Sequence, residues 1–185
     1  MNNSKNIFKI YDPRGDILLE KRSLSNRKNT LEGLRLAILD NSKWNANKIL
    51  RGSASALSQD IKFSKVNYYV KKHGFSTDAT IEMIEEIVND NDIVLTAIGD
   101  CGSCCSSCIR DAVALEDRGI PAAPVITTEF VNEIKLTRVA IGMPDLKPVV
   151  IDHPVSSITN DEVIERVKII KEQAQEIWLG QRQDI

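Results

Sequence analysis

All four cysteines of the 185-residue chain fall within one short stretch, GDCGSCCSSC, at Cys101, Cys104, Cys105 and Cys108. Such a cluster admits four chemistries: a metal cage, a redox dithiol, one nucleophile with spectators, or small residues filling a core. Cys101 and Cys104 form a Cys-X-X-Cys pair, a spacing shared by zinc, iron–sulfur and redox sites. With Cys101 as an exposed nucleophile, Cys104 would lie one helical turn deeper. There it could attack an adduct on Cys101 and resolve it as an intramolecular disulfide, the chemistry of a two-electron thiol reductant. The four positions also follow i, i+3, i+4, i+7, so on one continuous helix all four sulfurs would share a face. A tetrahedral metal site drawn from a single short helix is geometrically awkward, which makes Cys101, Cys104, Cys105 and Cys108 the metal alternative rather than the first reading. Cys105 and Cys108 read most simply as small buried hydrophobes.

These residues need a scaffold, and the apolar pattern supplies one. Short apolar runs at residues 34–39, 65–70, 92–99, 122–127 and 147–152 suit strands buried on both faces. Segments of helical period follow each of them, at 45 to about 59, 77–89, 106–119, 128–142 and 160 to about 179. The third and fourth of these helices end at Gly119 and Gly142, with Pro121 and Pro144 just beyond, a standard stop signal. Strand then helix, five times over, predicts an α/β fold: a three-layer domain with an open, mainly parallel five-stranded sheet and helices on both faces. The common order for such a sheet is the flavodoxin-like 2-1-3-4-5, in which ligands bind beyond the carboxyl ends of the strands. Residues 1–30, polar and carrying the turn-forming DPRGD and a possible short strand in DILLEKR, read as an arm or hairpin packed on the core. Residues 31–185 read as a single α/β domain.

On this scaffold Cys101 follows the third strand. Gly99 and Gly102 flank the loop there and let backbone and substrate approach closely. A helix starting a few residues later would favour a thiolate at Cys101 over the thiol, whose free value is ~8.5. The loop after the first strand would bring Asp40, Asn41 and Lys43 alongside. Asn41 could donate to a substrate carboxylate or carbonyl, and Lys43 could stabilise a thiolate or bind an anion. Asp100, Gly102 and Ser103 complete the cysteine loop, with Asp100 fixing it or positioning substrate. Thr128 and Glu129 follow the fourth strand, as substrate contacts or as caps of the next helix. His153 follows the fifth strand and is the candidate proton donor to a leaving group.

Bulk properties narrow the function classes. The 24 basic and 26 acidic residues are interspersed, for a net charge of −2, which leaves no electrostatic footprint for nucleic acid or an anionic membrane. No apolar run approaches the roughly 20 residues of a membrane span, and the N-terminus lacks a secretory h-region. A cytoplasmic location is therefore expected, where thiols stay reduced. No Walker loop or dinucleotide fingerprint accompanies the strands, so no bound cofactor is expected.

The stretch GDCGSCCSSCIRDAVALEDRGIPAAPV resembles the UGSC family of selenoproteins and cysteine homologues. That family has a Gly-Asp pair, then selenocysteine or cysteine, then Gly-Ser-Cys, with Asp-Ala and a RGIP turn downstream. Gly99 to Cys104 match that signature, as do Asp111, Ala112 and residues 118–121. YDPRGD, LAILDNSKWNAN and GMPDLKPVVIDHP extend the resemblance over most of the chain. It implies a redox thiol site, distantly like the selenoprotein subunits of glycine, sarcosine and betaine reductases. With Cys101 at the selenium position, the expected protein is a thiol-dependent enzyme. It would reduce or reductively cleave a small electrophilic substrate, recharged by a thioredoxin-type reductant or a partner subunit; a homodimer is expected from the general frequency of such assemblies. A non-redox cysteine-nucleophile lyase, hydrolase or racemase is the alternative enzyme.

Overall fold

The computed structural model describes residues 20–183. Its order is β1 (Arg35–Asp40), α1 (Ala46–Asp60), β2 (Lys65–Val70), α2 (Ile81–Asp90), β3 (Ile93–Gly99), α3 (Gly102–Glu116), β4 (Ala122–Thr127), a single 3-10 turn (Thr128–Phe130), α4 (Val131–Ala140), β5 (Val149–Ile151) and α5 (Asn160–Trp178). All neighbouring strands pair in parallel, in the order β2-β1-β3-β4-β5, which is the open flavodoxin-like order expected from the sequence.

Two apolar layers hold the helices to this sheet. One face packs Ile49, Leu50 and Leu57 of α1 with Ile170, Ala174 and Trp178 of α5. The other packs Ile84 and Ile87 of α2, Ile109 and Ala112 of α3, and Ile134 of α4. Every residue of β3 is buried, so this central strand reads as a continuous apolar run. Each fully buried aliphatic side chain there contributes about 1.5–3 kcal/mol relative to exposure. Trp178 satisfies its one polar atom in this layer by donating from Nε1 to the Val94 carbonyl at 3.1 Å.

The edge strand differs from expectation. β2 is half exposed, with Val66 and Val70 open to solvent, because it has a sheet neighbour on one side only. Residues 20–30 form neither strand nor helix. They are tied along the core by Arg22 N to Gly142 O (2.7 Å), Lys28 N to Trp178 O (2.9 Å), and donors of Ser25 and Arg27 to the buried Glu116 carboxylate. The DPRGD turn and most of the DILLEKR segment lie outside the described residues. Among the described residues no helix is long and apolar enough to cross a membrane.

Candidate active site

The third strand and third helix meet almost without a loop. Gly99 makes this possible: a Cβ there would stand 2.7 Å from Cys105 Sγ and 3.0 Å from the Cys105 Cα. The helix begins at Gly102, earlier than the expected residue 106, and Cys101 is its N-cap in extended conformation. Its Sγ takes the role usually filled by serine or aspartate, accepting from the Cys104 N–H at 3.4 Å. The sulfur therefore sits at the positive end of a helix of 15 residues, where negative charge is favoured.

Cys101 and Cys104 are joined in a disulfide, with Cα atoms 5.3 Å apart. Cys101 is partly exposed and Cys104 fully buried, so a molecule from solvent meets the first sulfur and not the second. The other two cysteines belong to the core. Cys105 packs beneath Gly99, and Cys108 points at the Thr96 and Val125 carbonyls of β3 and β4, at 3.6 and 3.8 Å. Burial pushes both thiols up, Cys108 to about 12. The four sulfurs do not share one face, because Cys101 stands outside the helix. Among the described residues no group of three or more His, Cys, Asp or Glu is arranged to hold a metal.

The first-strand loop reaches the site through Lys43. Its Nζ lies 3.8 Å from Cys104 Sγ and 4.6 Å from the centre of the Phe75 ring. Lys43 also borders an open cleft of about 560 Å³, together with Trp44, Arg51 and Tyr68. Asp40, which also borders that cleft, and Asn41 are both buried and brace the loop. Asp40 accepts from Ser42 N (2.7 Å) and the Tyr68 hydroxyl (2.8 Å), while Asn41 donates to the Ile98 carbonyl at 2.9 Å. These bonds hold a loop in which Ser42 and Asn45 adopt left-handed conformations, each costing about 1–3 kcal/mol for a non-glycine residue.

On the opposite side His153 leans on the cysteine loop. Its Nδ1 lies 2.9 Å from Asp100 Oδ1 and 3.1 Å from Thr127 Oγ1, and its backbone N–H donates to Thr128 Oγ1 at 3.3 Å. Phe130 meets the imidazole edge-on, the ring centres 5.9 Å apart. Asp100, buried, also accepts from Ser156 Oγ at 3.2 Å. Ser103 is exposed, with Oγ 3.6 Å from Cys101 Sγ, and Glu129 is exposed on the 3-10 turn. One neighbour escaped the sequence reading: Glu133, in the first turn of α4, whose carboxylate would lie 3.2 Å from a Cβ on Gly102. A glutamate on the following helix gives no sequence signal for this approach. Only the paired glycine hinted that something comes close there.

An open 2-1-3-4-5 parallel sheet with a cysteine pair at the mouth of its third strand defines a flavodoxin-like α/β protein carrying a dithiol–disulfide site. The sequence matches the UGSC family over residues 9–180, and the chain belongs to that family. Among solved structures, the flavodoxin-like domain of a Synechococcus sp. protein is similar over 80% of this chain and 99% of that one, at 8% identity and a TM-score of 0.41. No curated protein matches the sequence.

Proposed function

We propose that the protein is a thiol-dependent reductase in which Cys101 attacks a small electrophilic substrate and Cys104 resolves the adduct. The observation that carries this reading is the Cys101–Cys104 disulfide at the start of α3, with the first sulfur reachable and the second enclosed. The Cys101 thiolate displaces Y from a substrate X–Y, forming S–X, and Y leaves with a proton supplied through His153. The Cys104 thiolate then attacks Cys101 Sγ: the S–S bond forms, S–X breaks, and X takes a proton. Two thiol protons and two electrons pass to XH and YH, and the disulfide remains. An external dithiol of the thioredoxin type reduces it for the next turn, in keeping with a reducing, cytoplasmic setting.

The test uses the reduced protein with 5,5′-dithiobis(2-nitrobenzoic acid), itself an electrophilic disulfide. The wild type is expected to release about two equivalents of thionitrobenzoate and end as the internal disulfide. Cys104→Ser should release about one and retain one on Cys101, located by peptide mass mapping. Retention of the adduct by the wild type would mean that Cys104 does not resolve. That outcome favours the non-redox nucleophile.

A further inference from the structure

The Asp100 carboxylate is one of the few charged groups buried at the carboxyl edge of the sheet, its side chain only 4% exposed. One oxygen is engaged by Ser156. The other, Oδ1, is sealed from solvent and has no hydrogen-bond partner among the described residues; the imidazole Nδ1 of His153 faces it at 2.9 Å, an ion-pair distance. A buried carboxylate oxygen left without a donor is costly, so this contact calls for a proton on Nδ1. Thr127 points the same way. Its hydroxyl donates to the Gly99 carbonyl at 3.3 Å, which leaves its lone pairs, and not its proton, for Nδ1 at 3.1 Å. Two acceptors converge on one ring nitrogen, and the neutral ring then carries its lone pair on Nε2.

We infer that Asp100 is a positioning residue that locks His153 in the Nδ1–H tautomer, so that Nε2 is the nitrogen that moves protons. This deepens the proposed reductase reading and rests on it for the use made of that nitrogen. In the cycle, Nε2 takes the Cys101 thiol proton, leaving a thiolate and an imidazolium, and returns the same proton to the departing group Y. The second proton, released by Cys104, goes to X through solvent. Because Asp100 is bonded in sequence to Cys101, the residue that orients the base also begins the loop that carries the nucleophile. Substrate binding is thus not needed to account for its burial.

The experiment is nitrogen NMR of the full chain labelled at histidine, reduced and oxidised, at a pH where His153 is neutral, with His153→Gln to assign the signal. The wild type is expected to show protonated Nδ1 and bare Nε2. Asp100→Asn, whose amide can turn to donate, should move the population toward the Nε2–H form, and Thr127→Val should move it in the same direction by less. A wild-type ring protonated at Nε2, or a tautomer indifferent to both substitutions, overturns the inference. These readouts need no substrate. Should the tautomer behave as expected while Cys104→Ser leaves the thiol-exchange stoichiometry unchanged, the dyad stands and the reductase reading falls.

Discussion

When a reductant attacks Cys101, the electron pair of the S–S bond departs on Cys104, whose Sγ lies 3.8 Å from the Lys43 ammonium. A cation there stabilises the leaving thiolate, and in the proposed cycle it would favour the Cys104 thiolate that attacks the adduct. Stacking on Phe75 removes part of the water from that ammonium and strengthens its pull. Lys43→Met is therefore expected to slow reduction of the disulfide by dithiothreitol roughly tenfold, about 1.4 kcal/mol of barrier, with Lys43→Arg closer to wild type. Stopped-flow fluorescence of Trp44 or quenched alkylation would follow it, and equal rates in all three proteins would reduce Lys43 to a packing residue. The other two cysteines make a different prediction. Their folded values are raised by burial, so above the ordinary thiol range the unfolded chain holds fewer protons than the folded one. Stability then falls as pH rises from about 9 toward about 12, by up to ~1.4 kcal/mol per pH unit for each thiol that ionises on unfolding. Urea denaturation between about pH 8 and about pH 11 should show a shallower alkaline slope in Cys105→Ala/Cys108→Ala than in wild type, whatever the cavities do to the level.

At the scale of elements, the repeated strand-then-helix rhythm was readable because buried parallel strands write themselves as apolar runs, and β3 does so without interruption. The start of α5 was readable too: Thr159 and Glu162 form a reciprocal capping box, a pattern local enough to see in sequence. The start of α3 was not. Cysteine is no usual cap, and Gly102 and Ser103 are weak helix formers. The packing of Ile109, Ala112 and Leu115 against the sheet extends the helix over them regardless. Likewise, nothing in the sequence around Asp40 and Asn41 announces that they also brace the first-strand loop. Only their partners, Tyr68 and Ile98, reveal bracing. The β3–α3 junction is where this element-level design is tightest. Gly99→Ala is expected to destabilise the fold by about 1–3 kcal/mol, because the added methyl meets Cys105 Sγ at 2.7 Å and backbone at 3.0 Å. Adding Cys105→Ala should recover only part of that loss, since the backbone contact and the one with Ile126 remain. Chemical denaturation of the two variants measures both, and a fully neutral Gly99→Ala would mean that the helix simply shifts outward.

Across the whole molecule, one buried ion pair fastens the edge strand to the helix that carries the cysteines. Lys71, just past β2, is 5% exposed, and its Nζ lies 2.8 Å from both Asp111 Oδ2 and Ser107 Oγ on α3. The same residue's backbone bonds the Asp40 carbonyl and accepts from Ser42, while Asp111 Oδ1 accepts from Ala79 N at 2.8 Å. First-strand loop, second-strand exit and third helix are thus joined at one point below the disulfide. Nothing local in the sequence announces this tie, for its partners stand 40 positions apart. Burial holds the Asp111 carboxyl above its usual range even with Lys71 alongside, so the pair contributes less to net stability than its short distances suggest. Removing one partner is another matter. Asp111→Asn strands a buried ammonium and is expected to lower stability by about 3–5 kcal/mol, whereas the double variant Lys71→Met/Asp111→Leu should recover most of it. If the double variant proved as unstable as the single one in urea denaturation, the attraction between the two charges would have to outweigh the cost of stripping water from them. If instead it were stable yet formed the Cys101–Cys104 disulfide more slowly, the pair would serve to hold α3 at the angle that keeps its two sulfurs within bonding reach.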